Sequence, residues 1–588
     1  MSETNQALER IFSEMATALE LLGANRFRAA SNNRVAREIH ELGEDLGMVV
    51  RQAPARAVAR LSKLPGIGKG SAEKIVEYVE KGQVFEHAAL MAQVPRGLFA
   101  VLEVPGIGPK AARAMWQQLG IESIEDLMAQ IDSEAFGSLP RMGEKTRANI
   151  KEAVLFRARS IRRTPLGQAL PMALALRDEL AALPGVTRAD FAGSLRRGEE
   201  TVGDLDLLVA AEDEAAAGAF FVSRPQVTRV LARGDTKCSV RLEEGRAVIQ
   251  ADLRMVPEAA YGAALLYFTG SKEHNVLLRE RAIKKGMRLN EYGLFAGDDP
   301  RPQDLGKTPL AAESEQAIYR ALDLPFIAPE LRQGLREVDD PPAIELIEVS
   351  DLRAELHAHT TASDGRMSIE ELAQCARAHG LHTVAVTDHS RSQVIAGGLD
   401  AARLREHVAA VRAVAERIEG ITVLAGSEVD ILPDGSLDYD DELLALLDVV
   451  VASPHAALRQ DPAAATARLL AAIAHPRVHI IGHPTGRLIN RRAGLAPDIG
   501  ALVDAAVRHD TALEVNANSQ RLDLRDIHVR AALARGAKIA INTDAHRPEG
   551  FEQVIFGVLT ARRGGLEAES CVNAWPAERL HRWLRIRA

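Results

Sequence analysis

The stretch that decides the fold of the central part of this chain is residues 193–210, GSLRRGEETVGDLDLLVA. It ends in an apolar run that two carboxylates, Asp204 and Asp206, interrupt two residues apart. Successive side chains of a strand point to opposite faces, so we expect both carboxylates on one face and the neighbouring leucines in the core. Two anions this close raise each other's pKa, and a bound divalent cation is the usual means of keeping both ionised.

A second apolar run, residues 247–256, carries a third carboxylate, Asp252. If the two strands pair, Asp252 completes a site for two metal ions, for which Mg²⁺ with phosphate oxygens is the best match. Gly193 and Ser194, followed by two arginines, predict a small-residue turn with fixed cations of the kind that holds a triphosphate. A D-x-D pair alone is more often a strand end with solvated acids, whereas the whole string favours a nucleotide site.

The strings GSLRRG, GDLDLL and, later, YFTGS at residues 267–271 resemble in order and spacing the palm and thumb of family X DNA polymerases. The resemblance implies an α+β nucleotidyltransferase palm with a small thumb, which joins dNTPs to the primer of gapped or primer–template DNA by two-metal catalysis. It implies two Mg²⁺ ions held by the catalytic residues Asp204, Asp206 and Asp252. The nucleotide-binding residues it implies are Ser194, Arg197, Gly203, Tyr267, Phe268, Gly270, Asn275 and Arg279. Lys272 departs from the acidic residue that some members carry there.

Two glycine-rich turns, LPGIG at residues 64–68 and VPGIG at residues 104–108, lie in an otherwise helical N-terminal part. Glycines here allow a tight turn between two helices, and the amides that begin the next helix can hold a backbone phosphate. One copy is compatible with a plain helix connection, but two copies followed by lysines favour a helix-hairpin-helix that binds DNA without reading its sequence. The predicted DNA-binding residues are Gly66, Gly68, Lys69, Gly106, Gly108 and Lys110. A third copy, LPRMG at residues 139–143, has Arg141 in place of glycine and is interpreted as structural.

The first turn continues as KGSAEKI, residues 69–75, which resembles the lyase domain of family X repair polymerases. Lys74 stands at the position of that family's Schiff-base lysine, which attacks the aldehyde of an abasic sugar. Phe27 and Asn32 occupy positions where lyase-active relatives carry His and Tyr. Lys74 is therefore predicted either as a lyase nucleophile or as a solvated helix lysine.

The histidines are concentrated at the other end of the chain, with 14 of 17 after residue 350. Seven apolar runs in this region each end in residue types that bind metals, and alanine-rich helical stretches separate most of them. Such strand–helix units predict a parallel (β/α)7 barrel, whose working residues gather at the C-terminal ends of the strands. Imidazole with carboxylate suits Zn²⁺, Mn²⁺ or Fe²⁺, and so many ligands imply two or three ions. The candidates are His357, His359, Asp364, His389, Glu428, His455, His483, Asp544 and His546.

The motifs H-x-H, TDHS, SPH, GHP and TDAH, in this order, resemble the PHP (polymerase and histidinol phosphatase) domain of bacterial family X polymerases. The resemblance implies a phosphoesterase with two to three Mn²⁺ or Zn²⁺ ions, acting in these polymerases as a 3′-5′ exonuclease. Arg487, Asn516 and Arg547 are candidates to bind substrate phosphate, and each could equally be structural.

Composition limits how this chain can contact DNA and in which compartment it can work. The 588 residues carry a net charge of −9, but the first 170 carry +3, so DNA contact must depend on local donors. Three separated cysteines predict neither a disulfide framework nor a thiolate zinc site, and we expect a cytoplasmic, monomeric protein without a membrane segment. The predicted domains are a lyase-like helical domain at 1–88, helical fingers at 89–165, palm and thumb at 166–325, a linker at 326–345 and the PHP domain at 346–588.

Three functions remain open at this point. The leading hypothesis is a gap-filling repair polymerase fused to a 3′-5′ exonuclease. A second is a phosphoesterase for small phosphomonoesters that the N-terminal part merely delivers to DNA. In a third, the barrel metals only stabilise the fold.

Overall fold

The computed structural model describes residues 3–24, 26–41, 45–64, 66–102, 104, 107–140, 142–144, 146–147, 150–151, 154, 163–244, 247–299 and 301–587. The chain divides into two compact units. The first comprises Met1–Arg162 with Val276–Lys284, and the second comprises Arg163–Asn275 with Lys285–Ala588. In the described part of the chain, no helix is long and apolar enough to cross a membrane.

The first unit consists of short amphipathic helices around two apolar clusters. Helix α5 shows how the glycines delimit these helices: Gly68 caps its start, and Gly82, in the left-handed conformation with φ of 71°, ends it. The described helices are α1 (Glu3–Leu22), α2 (Arg26–Glu41), α3 (Leu46–Gln52), α4 (Ala57–Leu61), α5 (Lys69–Lys81), α6 (Phe85–Met91), α7 (Gly97–Leu102), α8 (Pro109–Leu119), α9 (Ile124–Gln130) and α10 (Glu134–Gly137).

The second unit begins with a five-stranded sheet in the order β2-β4-β7-β6-β5, where β4 and β7 are parallel and the other pairs antiparallel. Strands β1 and β3 form a separate antiparallel pair. The strands are β1 (Thr164–Pro165), β2 (Val186–Phe191), β3 (Thr201–Val202), β4 (Asp204–Ala211), β5 (Val227–Arg233), β6 (Lys237–Glu244) and β7 (Ala247–Met255). The helices are α11 (Leu166–Ala181), α12 (Gly193–Arg196), α13 (Glu214–Val222) and α14 (Tyr261–Thr269).

Helix α15 (Lys272–Lys284) follows in the chain, and most of it, Val276–Lys284, belongs to the first unit. The second unit continues with the hairpin of β8 (Met287–Asn290) and β9 (Gly293–Ala296) and with α16 (Glu315–Ala321). The segment after it, predicted as a linker, contains a fully buried arginine. Arg332 donates to Glu315 Oε1 over 2.6 Å and to the carbonyl of Ile327 over 2.9 Å. This part of the segment is therefore packed against α16.

The C-terminal part is a seven-stranded parallel sheet in sequential order, β10 to β16. Beyond its first and last strands, a parallel bridge joins Ala358 to Ala545, and His359 N donates to Ala545 O over 2.9 Å, so the sheet is a nearly closed barrel. The strands are β10 (Ala354–Glu355), β11 (Thr383–Val386), β12 (Thr422–Asp430), β13 (Val449–Ser453), β14 (Ile480–Ile481), β15 (Ala512–Asn516) and β16 (Ile539–Asn542). The helices are α17 (Ile369–Ala378), α18 (Ala401–Ala415), α19 (Asp441–Leu444), α20 (Pro462–Ala474), α21 (Ile499–His509), α22 (Asp526–Leu533), α23 (Val554–Gly564) and α24 (Ala577–Arg587).

Candidate active sites in the palm and the barrel

The three palm carboxylates lie on adjacent strands. In the parallel pairing of β4 with β7, Asp206 stands opposite Asp252 and Asp204 stands opposite Gln250. Gly193, with φ of +64°, lies against the Asp206 carboxylate, and a Cβ there would be 2.4 Å from Asp206 Oδ2. Only glycine therefore lets the turn after β2 come this close to Asp206.

Charge accumulates at this face of the sheet. Burial and the carboxylates of Asp204 and Asp252 raise the pKa of Asp206 to about 6. Burial and Asp252 also raise the pKa of Asp204. Lys237, on the neighbouring strand β6, lies 2.6 Å from Asp252 Oδ2 and offsets part of the repulsion. These carboxylates fit a cation, because an anion pair with raised pKa values gains most from a divalent ion.

The arginine of the predicted triphosphate turn contacts the YFTGS segment. Arg197 Nη1 donates to the carbonyl of Thr269 over 2.5 Å, and a Cβ on Gly270 would lie 3.2 Å from that nitrogen. Ser194 lies on α12, within the same turn. The structure thus brings Gly270 to the turn that carries Ser194 and Arg197, although it lies more than 70 residues further along the chain.

Three of the other predicted nucleotide-binding residues lie on α14 and the start of α15. Tyr267 and Phe268 form an edge-to-face pair with ring centroids 5.1 Å apart, and Phe268 also stacks under Arg254 at 4.1 Å. Asn275 Nδ2 donates to the carbonyl of Tyr267 over 2.7 Å. The remaining positions are Arg279 on α15 and Gly203 in the turn between β3 and β4.

The helix-hairpin-helix glycines hold the positions that the motif requires. Gly68 and Gly108 cap α5 and α8, and space around each is open, since a Cβ would meet nothing within 4 Å. Lys69 and Lys110 lie in the first turns of these helices. Gly66 has φ of +72°. Gly106 and Arg141 lie outside the described residues.

Lys74 lies on α5 and is paired. Its Nζ is 3.1 Å from Glu86 Oε2, and Arg28 donates to the other oxygen of Glu86 over 2.7 Å. Phe27 is 86% exposed, whereas Asn32 is buried and donates to the carbonyl of Arg28.

All nine predicted ligands of the barrel converge at the C-terminal ends of its strands. Among the residues that the structure describes, three sets have ligand atoms within 4.8 Å of one another. His483 completes the group, with Nε2 at 2.9 Å from Glu428 Oε1. The sets are His359, Asp364, His389 and His546; His357, His359 and Asp544; and His389, Glu428 and His455. The palm carboxylates are not among these closely spaced sets.

Carboxylates around the cluster fix the orientation of its histidines. His357 Nδ1 lies 2.8 Å from Glu514 Oε1, and His455 Nδ1 lies 2.5 Å from Asp430 Oδ1. With the Nδ1 side held in this way, the Nε2 atoms of both rings face Glu428, at 3.4 Å and 3.3 Å. Such carboxylate–histidine pairs are typical of metal ligands, since they fix both the tautomer and the ring plane.

The cluster passes a test of fit for metal ions. Buried ligand atoms lack hydrogen-bond partners on His357, His359, His389, Glu428 and His483. Unpaired polar atoms in such number are costly unless a cation satisfies them. Burial and the cations of His389 and His546 lower the pKa of His359 to about 4, so its ring is a neutral donor at pH 7. The donor set of imidazoles and carboxylates suits Mn²⁺, Zn²⁺ or Fe²⁺.

Several contributing residues were missed from the sequence. Glu514, in the middle of β15, bonds to His357 and also accepts from the amide of His483 over 2.6 Å. Glu355 accepts from the amides of His357 and Thr543. A charged residue inside an apolar strand was the available signal for Glu514, the same signal that identified Asp206. No pattern in the sequence identified Lys237 as the partner of Asp252.

The three phosphate-binding candidates near the ligands differ in position. Arg487 is buried and its guanidinium lies 2.7 Å from Glu200 of the palm. Asn516 is buried and donates to Asp544 Oδ2 over 3.2 Å. Arg547 is exposed.

Four family models match the chain in the order expected from its motifs. They are a helix-hairpin-helix domain at residues 3–84, a SAM-like helix-hairpin-helix tandem at 99–154, a DNA polymerase beta thumb at 264–333 and a PHP domain at 355–516. The chain is 36% identical over 566 residues to the DNA polymerase/3′-5′ exonuclease PolX of Bacillus subtilis (strain 168), covering 96% of each protein. The chain belongs to the family X DNA polymerases with a C-terminal PHP domain. The predicted fold class and family are thereby confirmed.

Two further relatives each correspond to part of this family X chain. DNA polymerase lambda of Rattus norvegicus is 28% identical over 313 residues, which cover 47% of this chain and 49% of that protein. A probable phosphatase of Syntrophotalea carbinolica is 29% identical over 236 residues, which cover 38% of this chain and 93% of that protein.

Proposed function

We propose that this family X polymerase fills short gaps during DNA repair, using its palm, and trims primer 3′ ends with its PHP barrel. The observation that carries the proposal is the presence in one chain of two separate groups of cation-binding side chains, Asp204, Asp206 and Asp252 in the palm and nine ligands in the barrel. The relative from Bacillus subtilis, named as a polymerase and a 3′-5′ exonuclease, supports both activities.

In the palm, Asp204, Asp206 and Asp252 would hold two Mg²⁺ ions, which neutralise the triphosphate and activate the primer hydroxyl when bound. The side chains of the palm position the triphosphate and the carboxylates. We expect Ser194 and Arg197 to hold phosphate oxygens, and the Thr269 carbonyl and the Glu199 carboxylate orient the guanidinium of Arg197. Lys237 holds Asp252 on the face that it shares with Asp206.

In the barrel, the nine ligands would hold two to three Mn²⁺ or Zn²⁺ ions, which supply the nucleophile and stabilise the leaving oxygen when bound. Glu514 and Asp430 hold the rings of His357 and His455 with Nε2 toward the centre. A site built from groups that are already oriented loses little free energy to reorganisation during the reaction.

A primer-extension assay on a one-nucleotide gap tests both activities together. Wild-type protein should extend the primer with dNTPs and shorten it without them, in Mg²⁺ and in Mn²⁺. The double substitution Asp204→Ala, Asp206→Ala should abolish extension and spare shortening, and His357→Ala should do the reverse. Extension that survives loss of both aspartates would refute the palm assignment, and shortening by His357→Ala would place degradation elsewhere.

The alternative of a small-molecule phosphatase is favoured by the match of a probable phosphatase over 93% of its length. It predicts release of phosphate from phosphomonoesters by the His357-dependent site and no shortening of oligonucleotides. A phosphate-release assay beside the primer assay separates the two hypotheses.

We propose Lys74 as the nucleophile of a lyase activity, because it stands at the position of the Schiff-base lysine of the family; its Nζ lies 3.1 Å from Glu86 Oε2 and must lose its proton before it attacks. Borohydride should trap wild-type protein on abasic DNA and should not trap Lys74→Ala.

The three cysteines form no disulfide, which supports the proposed cytoplasmic location.

A further inference from the structure

A cavity of about 590 Å³ opens on the metal ligands of the barrel, and its walls come from two domains. Asp544 and His546 line it on the barrel side. Helix α11 of the palm lines it on the other side through Leu170, Pro171 and Leu174. The nuclease centre is thus bounded by a helix of the polymerase domain.

The palm helix is held firmly against the barrel. A Cβ on Gly167 would lie 2.2 Å from the Cβ of Ser519, so glycine permits this close approach. Ser519 N in turn donates to Gln553 Oε1 over 3.0 Å, next to the start of α23. Phe556 of α23 and Leu522 of the barrel are members of the apolar cluster that forms the palm core. The wall is therefore a continuous packed surface.

The character of the cavity changes from one side to the other. The metal ligands form a polar side, whereas Leu174 and Pro171 of the palm with Ile555 and Phe556 of α23 form an apolar side. The charged residues Arg547, Glu549 and Glu552 also line the cavity, and Arg547 lies 3.8 Å from Glu549, so the two acids leave no excess of positive charge for a second phosphate. An apolar side next to acids suits an uncharged, flat group better than a second phosphate. The volume is within the range of sites for small organic ligands.

We propose that this apolar side is a seat for the 3′-terminal nucleobase of the strand that the nuclease trims. The inference rests on the proposed nuclease function. With the scissile phosphate at the metal ligands, the terminal base enters the cavity and packs on Leu174 and Ile555. The seat requires the terminal base to be unpaired, because a base in a duplex is stacked and cannot enter a cavity. Polymerase and nuclease domains would then share the recognition of a frayed primer end.

The test compares two single-stranded oligonucleotides that differ only at the 3′ end, one ending in dT and the other in an abasic tetrahydrofuran residue. In Mn²⁺, wild-type protein should remove dT with a kcat/KM about 10-fold higher, because the seat contributes on the order of 1.4 kcal/mol, a tenfold effect. Leu174→Gln and Ile555→Gln should each reduce this ratio to within about twofold of unity, since both replace apolar surface without adding charge.

Ala175→Gln is the matched control, because Ala175 is exposed on the same helix and does not line the cavity. It should keep the wild-type ratio. Ile555 is 37% exposed, so its substitution tests the seat even if Leu174→Gln fails to fold. Equal trimming of the two ends by wild-type protein, or an unchanged ratio in Ile555→Gln, would overturn the seat alone. No trimming of either end would instead refute the proposed nuclease function.

Discussion

Asp206 is the palm residue at which folding and function conflict. Its pKa is raised to about 6 by burial and by two neighbouring carboxylates. Because its pKa is raised in the folded state, the carboxyl of Asp206 favours folding at low pH, and this contribution is lost as the pH rises through 6. At neutral pH the metal-free palm therefore holds an unfavourable charge that serves cation binding.

We predict that Asp206→Asn stabilises the metal-free protein at pH 7.5 by about 1 kcal/mol, because the pKa of Asp206 is raised to about 6 and partial exposure reduces the effect. The measurement is urea unfolding in EDTA at pH 7.5 and at pH 4, where the difference should disappear. Asp235→Asn, at an exposed position of the turn between β5 and β6, should change neither value. An equal effect at both pH values would contradict the electrostatic explanation.

Glu514 is the residue that orients the barrel cluster without joining it. It contacts His357 and the amide of His483, so Glu514→Gln should weaken metal binding about 10- to 100-fold while leaving the nine ligands in place. Mn²⁺ titration by calorimetry measures this directly, without reliance on activity. Glu370→Gln, at an exposed position of the barrel, serves as control. Unchanged affinity in Glu514→Gln would show that the ligands need no such support.

Among the elements, helix α16 is held by an ion-pair network. Glu315, its first residue, accepts from Arg196 of α12 over 2.7 Å and from the fully buried Arg332 over 2.6 Å. Burial alone would raise the pKa of Glu315, but the two arginines outweigh it and lower the pKa to about 2. The contribution of these ion pairs to the stability of the protein is thus present above pH 4.5 and is lost as the pH falls toward 2.

Glu315→Gln should destabilise the protein by about 3–5 kcal/mol at pH 7, because it leaves Arg332 buried without a counter-ion. Urea unfolding should show the difference from wild type shrinking below pH 4.5, as wild-type Glu315 takes up its proton. Glu258→Gln, at an exposed position, should match wild type throughout. A difference that does not depend on pH would argue against the ion pairs as its source.

For the molecule as a whole, the barrel supports the nucleotide turn of the palm. Glu200 lies 2.7 Å from Arg487 and 3.3 Å from Arg525, both from the barrel. Arg563 of α23 donates to the carbonyl of Arg197 over 2.7 Å. The turn that carries Ser194 and Arg197 is thus held from outside its own domain.

Glu200→Gln should therefore raise the KM for dNTP several-fold, with a smaller change in kcat, since the turn loses its two arginine partners. Steady-state extension of a gapped primer at varied dNTP measures both constants. Glu212→Gln, at an exposed palm position, should leave them unchanged. If Glu200→Gln also leaves KM and kcat unchanged, the palm positions its turn without the barrel.

The sequence by itself determined the fold class, the family and the convergence of the barrel ligands. Each of these depends on a short pattern: an apolar strand followed by His or Asp, or two carboxylates spaced to share a face. Asp204, Asp206 and the nine barrel positions could be named because strand alternation and barrel geometry place them without further information.

Only the tertiary structure decided which distant groups support these residues. Lys237 beside Asp252, Glu200 between two barrel arginines, and α11 as a wall of the nuclease cavity all join segments that no local pattern connects. The physical reason is that periodicity is fixed within a few residues of the chain, whereas the pairing of surfaces depends on how complete domains pack. The palm core, completed by Leu522 and Phe556 from the barrel, exists only once both domains have folded.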